Sequence, residues 1–144
     1  MIIDVEQAAF ILTRKFPQLK RYTDWHTAHP LEQDDVGGWK QRGPAWIPEW
    51  KSEEVPQPTP DDLLAWWPDY KDEYEREEAA RLVRLERDDL LARADILIVR
   101  AEDDEDSGLV AALRIYRKEL RSVPEQATFP FIVEWPKLPD ASRK

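Results

Sequence analysis

The two histidines are the first residues whose type and spacing could do chemistry. His26 and His29 lie three positions apart, and the carboxylates of Asp24, Asp34 and Asp35 are close to them in the sequence. Imidazole and carboxylate groups together can bind a transition metal, so a metal site is conceivable. A proline follows the second histidine and the segment has an extended pattern, which favours two exposed loop histidines. The sequence therefore predicts no metal ligand.

The acidic clusters do not match a catalytic or calcium-binding pattern either. The run at 102–106 lacks the alternating ligands, central glycine and terminal glutamate of an EF-hand loop. Neighbouring carboxylates such as Asp61 and Asp62, or Asp88 and Asp89, do not face each other on a helix and make poor acid–base dyads. Phosphate-binding glycine loops, nucleophile elbows and thiol motifs are absent from the sequence. We therefore expect no catalytic residue and no cofactor, and a protein that is not an enzyme.

The composition indicates a folded, acidic domain. Among 144 residues, 21 Lys and Arg stand against 30 Asp and Glu, a net charge of −9 that argues against non-specific binding to a nucleic-acid backbone. The lack of cysteine excludes a disulfide framework and a thiolate zinc site. Apolar runs fall short of the ~20 residues of a membrane span, and the first residues have no secretory signal pattern. The chain has seven Trp and twelve Pro. The many Trp indicate a buried core, because disordered acidic chains are usually poor in aromatics.

The fold class predicted from the elements is α+β. Residues 1–51 are expected to form a small unit of one helix and one β-hairpin. Asp4 and Gln7 form a capping-box pair at the start of the helix, and Pro17 ends it. Extended pieces over 22–27 and 45–50 can pair around the turn at 34–38, with Pro48 on an edge strand. The predicted apolar face of the helix consists of Val5, Ala8, Ala9, Leu12 and Phe16.

A proline-rich linker over 52–60 is expected to lead into a helical domain over 61–144. Thr59 is predicted to cap its first helix with Pro60 at the first helical position, and Pro68 to kink that helix or begin the next one. The acidic run at 102–106 is interpreted as the turn of a helical hairpin, with Ser107 as the next cap. An extended aromatic tail follows from Phe129 onward. The predicted apolar faces of the two helices are Leu82, Leu85, Ala92, Ile96 and Val99, interrupted by Asp89, and then Leu109, Ala112, Leu113, Tyr116 and Leu120.

The tryptophans are divided between core and surface in this interpretation. Trp25, Trp46, Trp66 and Trp67 are assigned mostly to the core. Trp135 lies in the proline-rich tail, and two alternatives remain open for that tail: it docks on the helices as part of the core, or it stays free as an interface.

The closing part of the chain carries a specific series of motifs. Arg87-Asp88-Asp89-Leu90-Leu91-Ala92 comes first, and Tyr116-Arg117-Lys118-Glu119-Leu120-Arg121 follows. Pro124-Glu125-Gln126, Phe129-Pro130 and Val133-Glu134-Trp135-Pro136 close the series. From residue 78 to residue 139 the chain resembles the phage tail fibre assembly chaperone family. The chain departs from the family at Ile96, where many members have Trp. In the first half, a Trp-containing hairpin followed by Pro-Thr-Pro-Asp-Asp-Leu and a Trp pair resembles small tail proteins encoded beside tail fibre genes.

The resemblance implies a chaperone that binds the C-terminal region of a phage or prophage tail fibre in the host cytoplasm and assists its folding and trimerisation. It implies no nucleic-acid or membrane partner, and it leaves a homo-oligomer open. Strand edges and apolar faces of unassembled fibre chains aggregate, which a partner would prevent. The fibre-binding candidates are Tyr116, Arg117, Leu120, Phe129, Phe131, Val133 and Trp135.

Two other classes of function compete with this one. Exposed Trp and Tyr rings could stack on sugars in a virion-tip adhesin or a structural component of the fibre. The charge of −9 alone would also suit an acidic regulatory protein that mimics DNA. A glycan array, or detection of the protein in purified particles, separates the adhesin from the chaperone.

Overall fold

The computed structural model describes residues 1–140 and confirms the α+β class. Helix α1 covers Val5–Lys15, α2 covers Pro60–Asp103 and α3 covers Ser107–Arg121, with a 3-10 turn at Val123–Glu125. Four short strands lie between α1 and α2: β1 (Trp25–Ala28), β2 (Leu31–Gln33), β3 (Trp39–Gln41) and β4 (Trp46–Trp50). The chain divides into two compact units, Met1–Tyr74 and the part that begins at Glu75. This division lies beyond the predicted linker at 52–60.

Helix α1 begins with the predicted capping box. The Asp4 carboxylate accepts from the Gln7 backbone N–H at 2.8 Å, and the Gln7 side chain accepts from the Asp4 N–H at 2.8 Å. These bonds satisfy two of the donors that a helix start leaves without partners. Phe16 ends the helix directly before Pro17, as predicted. Ile11, which the predicted face omitted, is fully buried together with Ala8, Ala9 and Leu12.

The four strands form two separate antiparallel ladders. β1 pairs with β4, with Trp25 opposite Trp50, which confirms the predicted hairpin. Inside it, β2 and β3 form a second ladder that was not predicted from the sequence. In its turn the Asp34 carboxylate accepts from the backbone N–H groups of Val36 and Gly38. Pro48 lies in β4, an edge strand as predicted, since each sheet has only two strands.

The core of the first unit is built from α1, the β1–β4 ladder and the first turns of α2. Trp25 and Trp67 are buried in it, and Trp50 and Trp66 pack against it. Trp46, predicted in the core, is 46% exposed. Its neighbour Ile47 is buried, because successive side chains of a strand point to opposite faces.

The segment at 52–60 is held against the first unit. The Trp50 indole N–H donates to the Val55 carbonyl at 2.8 Å, and the Gln57 side chain donates to the Ile47 carbonyl at 2.9 Å. Thr59 caps α2 as predicted, since its hydroxyl accepts from the Asp62 N–H at 3.1 Å. Leu63 is fully buried in the same core. The start of α2 therefore belongs structurally to the first unit.

Helix α2 is one continuous helix of 44 residues and contains Pro68. The two helical stretches predicted on either side of this proline are thus joined. Proline removes one backbone donor in a helix interior, a local cost that the rest of the helix outweighs. At its end, Glu105 adopts a left-handed backbone with φ of 55°, and the Asp106 N–H donates to the Ala101 carbonyl at 2.9 Å. These features form a Schellman motif, which closes the helix.

In the second unit, α3 packs on α2 as a helical hairpin, with the turn at the predicted acidic run. The cap of α3 is Asp106 and not Ser107, because the Asp106 carboxylate accepts from the Leu109 N–H at 3.0 Å. The buried face of α3 agrees with the prediction at Leu113, Tyr116 and Leu120. Among the described residues, no helix is long and apolar enough to span a membrane.

The prediction that the apolar face of α2 is buried in the hairpin is wrong. Leu82, Leu85, Ile96 and Val99 are all more than half exposed. The hairpin instead buries a different side of the helix, which includes Ala94, Ile98 and Ala101. Both sides carry apolar residues at helical spacing, so the period alone does not tell which side faces α3.

Candidate functional site

The two helices of the second unit form the base on which the tail docks. Ala94 of α2 and Tyr116 and Leu120 of α3 make a buried cluster. Trp135 and Leu138 of the tail pack against it, together with Leu90 and Leu91. Of the two alternatives for the tail, the structure therefore favours docking for the part around Trp135. Over 133–139 the tail forms neither a strand nor a helix.

Gln126 fastens the tail to the end of α3. Its side-chain amide donates to the Glu134 carbonyl at 2.8 Å, and its side-chain oxygen accepts from the Glu134 N–H at 2.9 Å. A primary amide can satisfy both groups of one residue in this way because it has a donor and an acceptor side by side. The glutamine of the Pro-x-Gln motif thus fixes the course of the chain eight residues later.

Between Gln126 and Glu134 the chain makes a compact loop, which we call the tip loop (128–132). The Thr128 hydroxyl donates to the Ile132 carbonyl at 2.8 Å, and the Ile132 N–H donates to the Thr128 carbonyl at 3.1 Å. Pro130, inside the loop, is buried and follows a cis peptide bond. Phe131 and Ile132 are 60% and 65% exposed. Two large apolar side chains are therefore held in solvent by a closed hydrogen-bonded loop.

Two arginines of α2 lie over the aromatic rings of this region. The guanidinium carbon of Arg84 is 5.4 Å from the centroid of Phe129, and that of Arg76 is 5.6 Å from the centroid of Phe131. At these distances a cation is attracted by the negative face of the ring. The contacts orient the two phenylalanines without covering Phe131, so its ring remains accessible to a partner.

A groove of about 660 Å³ lies between α3 and the docked tail. Ile115, which is 61% exposed, and the half-buried Trp135 supply its apolar surface. Lys118 and Glu119 supply charges of both signs. This mixture of apolar and charged lining side chains suits a peptide segment.

The structure separates the predicted fibre-binding residues into three groups. Tyr116 and Leu120 are buried, and burial raises the pKa of the Tyr116 hydroxyl above its ordinary value, with Arg93 acting in the opposite direction. Arg117 donates to Asp95 of α2 at 2.9 Å and so braces the hairpin. Phe129, Val133 and Trp135 are half-buried, and Phe131 is exposed. Of the predicted tail residues, Phe131 is therefore the most accessible, and Trp135 packs on the helices.

Sequence reasoning missed Ile115, Gln126 and Ile132 as parts of this surface. The Pro-x-Gln motif was the available signal for Gln126, although its bond to Glu134 depends on the path of the tail. Ile132 adjoins the predicted Phe131, but no spacing rule applies inside a loop. Ile115 lies beside the inward face of α3 on the helical period and would ordinarily be a scattered surface residue.

The two histidines have structural contacts. His29 accepts from the Val5 N–H through Nδ1 at 2.9 Å, and His26 lies 3.5 Å from Glu49. In the described part of the chain, no group of three or more His, Asp or Glu side chains is placed to hold a metal ion.

Comparison with known protein families finds two matched regions. Residues 80–140 match the family described as phage tail assembly chaperone protein, and residues 8–75 match the family described as XkdW protein. Neither match alone spans half of the chain. Comparison with curated proteins and with solved structures finds no match.

The match over residues 80–140 confirms the resemblance to tail assembly chaperones found in the closing motifs. The matched region contains α3, the tip loop, Gln126 and the docked tail. This match supports a role in phage tail assembly, which implies a phage tail protein as the partner and action in the host cell during assembly.

Proposed function

We propose that this chain is a chaperone for a phage or prophage tail fibre, which it binds at the C-terminal region of the fibre and assists in folding and trimerisation. The observation that carries the proposal is the exposed apolar pair of the tip loop inside a tail assembly chaperone region. Hydrogen bonds at Thr128 and Gln126 hold this pair in place. The work of such a chaperone is binding and release in the host cytoplasm, which requires neither a catalytic residue nor a cofactor.

The physical basis is the exposure of apolar fibre surface before the three chains align. Unpaired strand edges and apolar faces lead to aggregation while they wait for a partner. Phe131 and Ile132 can cover such a face at low entropic cost, because the tip loop is ordered before binding. The groove beside Ile115 and Trp135 extends the contact area. The net charge of −9 keeps the complex soluble and favours a basic region of the fibre.

The buried candidates have a supporting part in this proposal. Tyr116 and Leu120 hold the helices on which Trp135 packs, and Arg117 pairs with Asp95. We therefore assign direct fibre contact to Phe131 and Ile132, with Phe129, Val133 and Trp135 flanking them.

A direct test compares one double variant with one single-substitution control in a pull-down with the tail fibre encoded in the same phage genome. Phe131→Ser together with Ile132→Ser should reduce fibre capture at least about ten-fold, because truncating central apolar contacts often costs more than about 1.4 kcal/mol of binding free energy. Val36→Ser is the matched control, since Val36 is 92% exposed in a turn of the first unit. Equal capture by wild type and the Phe131/Ile132 variant would rule out the tip loop as the binding surface.

The adhesin alternative keeps one specific observation in its favour. Trp39 is 67% exposed on β3 and Tyr22 is 76% exposed near β1, and both rings can stack on a sugar. A glycan array probed with the purified chain tests it. Glycan binding that Trp39→Ala abolishes would favour the adhesin over the chaperone.

A further inference from the structure

The exposed side of α2 in the second unit carries a regular apolar stripe. Its members are spaced alternately three and four residues apart, and the four largest are between 54% and 56% exposed. We call this set the α2 stripe; it consists of Leu82, Leu85, Asp89, Ala92, Ile96 and Val99. This spacing is the a and d pattern of a coiled coil, in which the set faces a second helix.

The hairpin partner does not cover the stripe. Helix α3 and the tail pack on the opposite side of α2, at Ala94, Ile98 and Ala101. Over its 18 positions the stripe is about 27 Å long, at about 1.5 Å per residue. An apolar surface this long and regular on a strongly charged helix indicates a protein partner.

The charges beside the stripe identify that partner. The e positions that follow each d residue are Glu86, Arg93 and Arg100, and the g positions that precede each a residue are Arg81, Asp88 and Asp95. In a parallel coiled coil, each g residue faces the e residue five positions further along the other helix. A second copy in register would bring together Arg81 with Glu86, Asp88 with Arg93, and Asp95 with Arg100. All three pairs are of opposite charge.

An antiparallel arrangement is less favourable. With Leu82 opposite Val99, the g positions face each other along one side of the seam, where Asp88 meets Asp95 twice, and the e positions face each other along the other side, where Glu86 meets Arg93 twice. Like charges at this distance repel. The flanking charges therefore select the parallel orientation.

Asp89 in the middle of the stripe fits the same arrangement. In a parallel pair Asp89 faces Asp89 of the second copy, and each carboxylate lies 2.9 Å from Arg93 of its own helix, so the two like charges enter the seam with their own counter-charges. A polar residue at one a position lowers stability and fixes the register, because any shift of one heptad would place it against Leu82 or Ile96.

We propose that two copies of this chain associate through the α2 stripe as a parallel, in-register helix pair. The inference goes beyond fibre binding, because the stripe and the tip loop are different surfaces. The seam has fewer than three full heptads, which is short for a coiled coil, so the dimer is expected to be reversible and dependent on concentration.

The first test measures the mass of the full chain by sedimentation velocity over a range of concentrations. The wild type should pass from its 17.0 kDa monomer to a dimer as the concentration rises. Leu85→Asp should stay monomeric and keep the wild-type circular dichroism, because Leu85 is 55% exposed within one chain. Ile115→Asp is the matched control: Ile115 is 61% exposed but lies on α3, and this variant should dimerise like the wild type.

A monomeric wild type at every concentration would overturn the proposal, as would a dimer that Leu85→Asp leaves intact. If the wild type stays monomeric and Leu85→Asp no longer captures the fibre, the dimer is overturned and the stripe is a fibre-binding surface instead. Because capture and mass are measured separately, failure of the dimer and failure of the fibre-binding function are distinguishable.

The second test determines the orientation of the two helices. Because the chain has no cysteine, an introduced cysteine is its sole thiol. Leu85→Cys should form an intermolecular disulfide rapidly under mild oxidation, because a parallel in-register pair places the two d positions within disulfide distance. Ala111→Cys, on the exposed side of α3, should cross-link far more slowly. A dimer in which Leu85→Cys fails to cross-link would contradict the parallel register.

Discussion

At the scale of single residues, Gln126 fixes the course of the tail after α3. One side-chain amide binds both backbone groups of Glu134, and through them it closes the tip loop and directs Trp135 onto the helices. The exposure of Phe131 and Ile132 therefore depends on the closed geometry of the loop as well as on their own side chains.

Gln126→Ala should therefore lower the free energy of unfolding by about 1 kcal/mol, because the two bonds are solvent-accessible and their net contribution is modest. It should also increase proteolytic cleavage within 127–140 and weaken fibre capture. Urea unfolding and limited proteolysis measure these effects, with Glu125→Ala as the neighbouring control. Unchanged cleavage in Gln126→Ala would show that the tail is held by its apolar contacts alone.

Tyr116 gives the second prediction at this scale, which concerns pH. Burial raises its pKa in the folded chain above the ordinary value of 10.0, so the protonated hydroxyl is favoured by folding. This contribution is complete below about pH 10 and is lost as the pH rises through the raised pKa, because the unfolded chain ionises first. Relative to Tyr116→Phe, which cannot ionise, the wild type should become less stable in urea unfolding between about pH 9 and about pH 11. A constant difference between the two would contradict the assignment.

At the scale of elements, the beginning and end of α2 belong to different parts of the chain. Its first turns complete the core of the first unit through Leu63 and Trp67, whereas its later turns carry α3 and the tail. The proline-rich segment before α2 is hydrogen-bonded to β4 and its surroundings, which a composition-based linker assignment does not anticipate.

Adjacent leucines in α2 test this assignment. Leu63→Ala should lower the free energy of unfolding by about 2–5 kcal/mol, because Leu63 is fully buried in the core of the first unit. Leu64→Ala, one position along and 37% exposed, should cost less than about 1 kcal/mol. Urea unfolding followed by tryptophan fluorescence suits the comparison, since six of the seven Trp lie before residue 75. Similar losses for the two variants would refute the placement of Leu63.

Helix ends and strand pairs were predicted correctly where short-range sequence chemistry alone determines them. The capping box of α1, the stop at Pro17, the cap at Thr59 and the pairing of β1 with β4 follow from short-range chemistry. The side of α2 that faces α3 did not, because two apolar stripes share one helix and the choice depends on tertiary packing. Asp106 displaced Ser107 as the cap of α3 because the helix begins one residue away from the predicted boundary.

The candidate site was predictable in region but not in detail. The closing motifs indicated the tail, and Phe131 is exposed there. Tyr116 and Leu120 belong to the same motifs but face α2, as their spacing from Leu113 on α3 indicates. A motif indicates which residues occur together, and on α3 the helical period distinguishes the residues that face α2 from those that face outward.

At the scale of the whole molecule, the chain joins two matched regions: an XkdW-like first part and a tail assembly chaperone region that includes the tip loop. Its acidic charge, its lack of cysteine and its ordered apolar tip are properties expected of a binding protein that must itself stay soluble. In the proposed dimer, the α2 stripe is a second surface, distinct from the tip loop.

The most direct test of fibre chaperoning is co-expression of the chain with the tail fibre from the same phage genome, followed by measurement of soluble, trimeric fibre. The fibre should be largely insoluble alone, and the wild-type chain and Val36→Ser should both restore soluble trimer. The combined Phe131→Ser and Ile132→Ser variant should fail to do so while it remains folded. A trimer yield that is the same with and without the wild-type chain would contradict the proposed function.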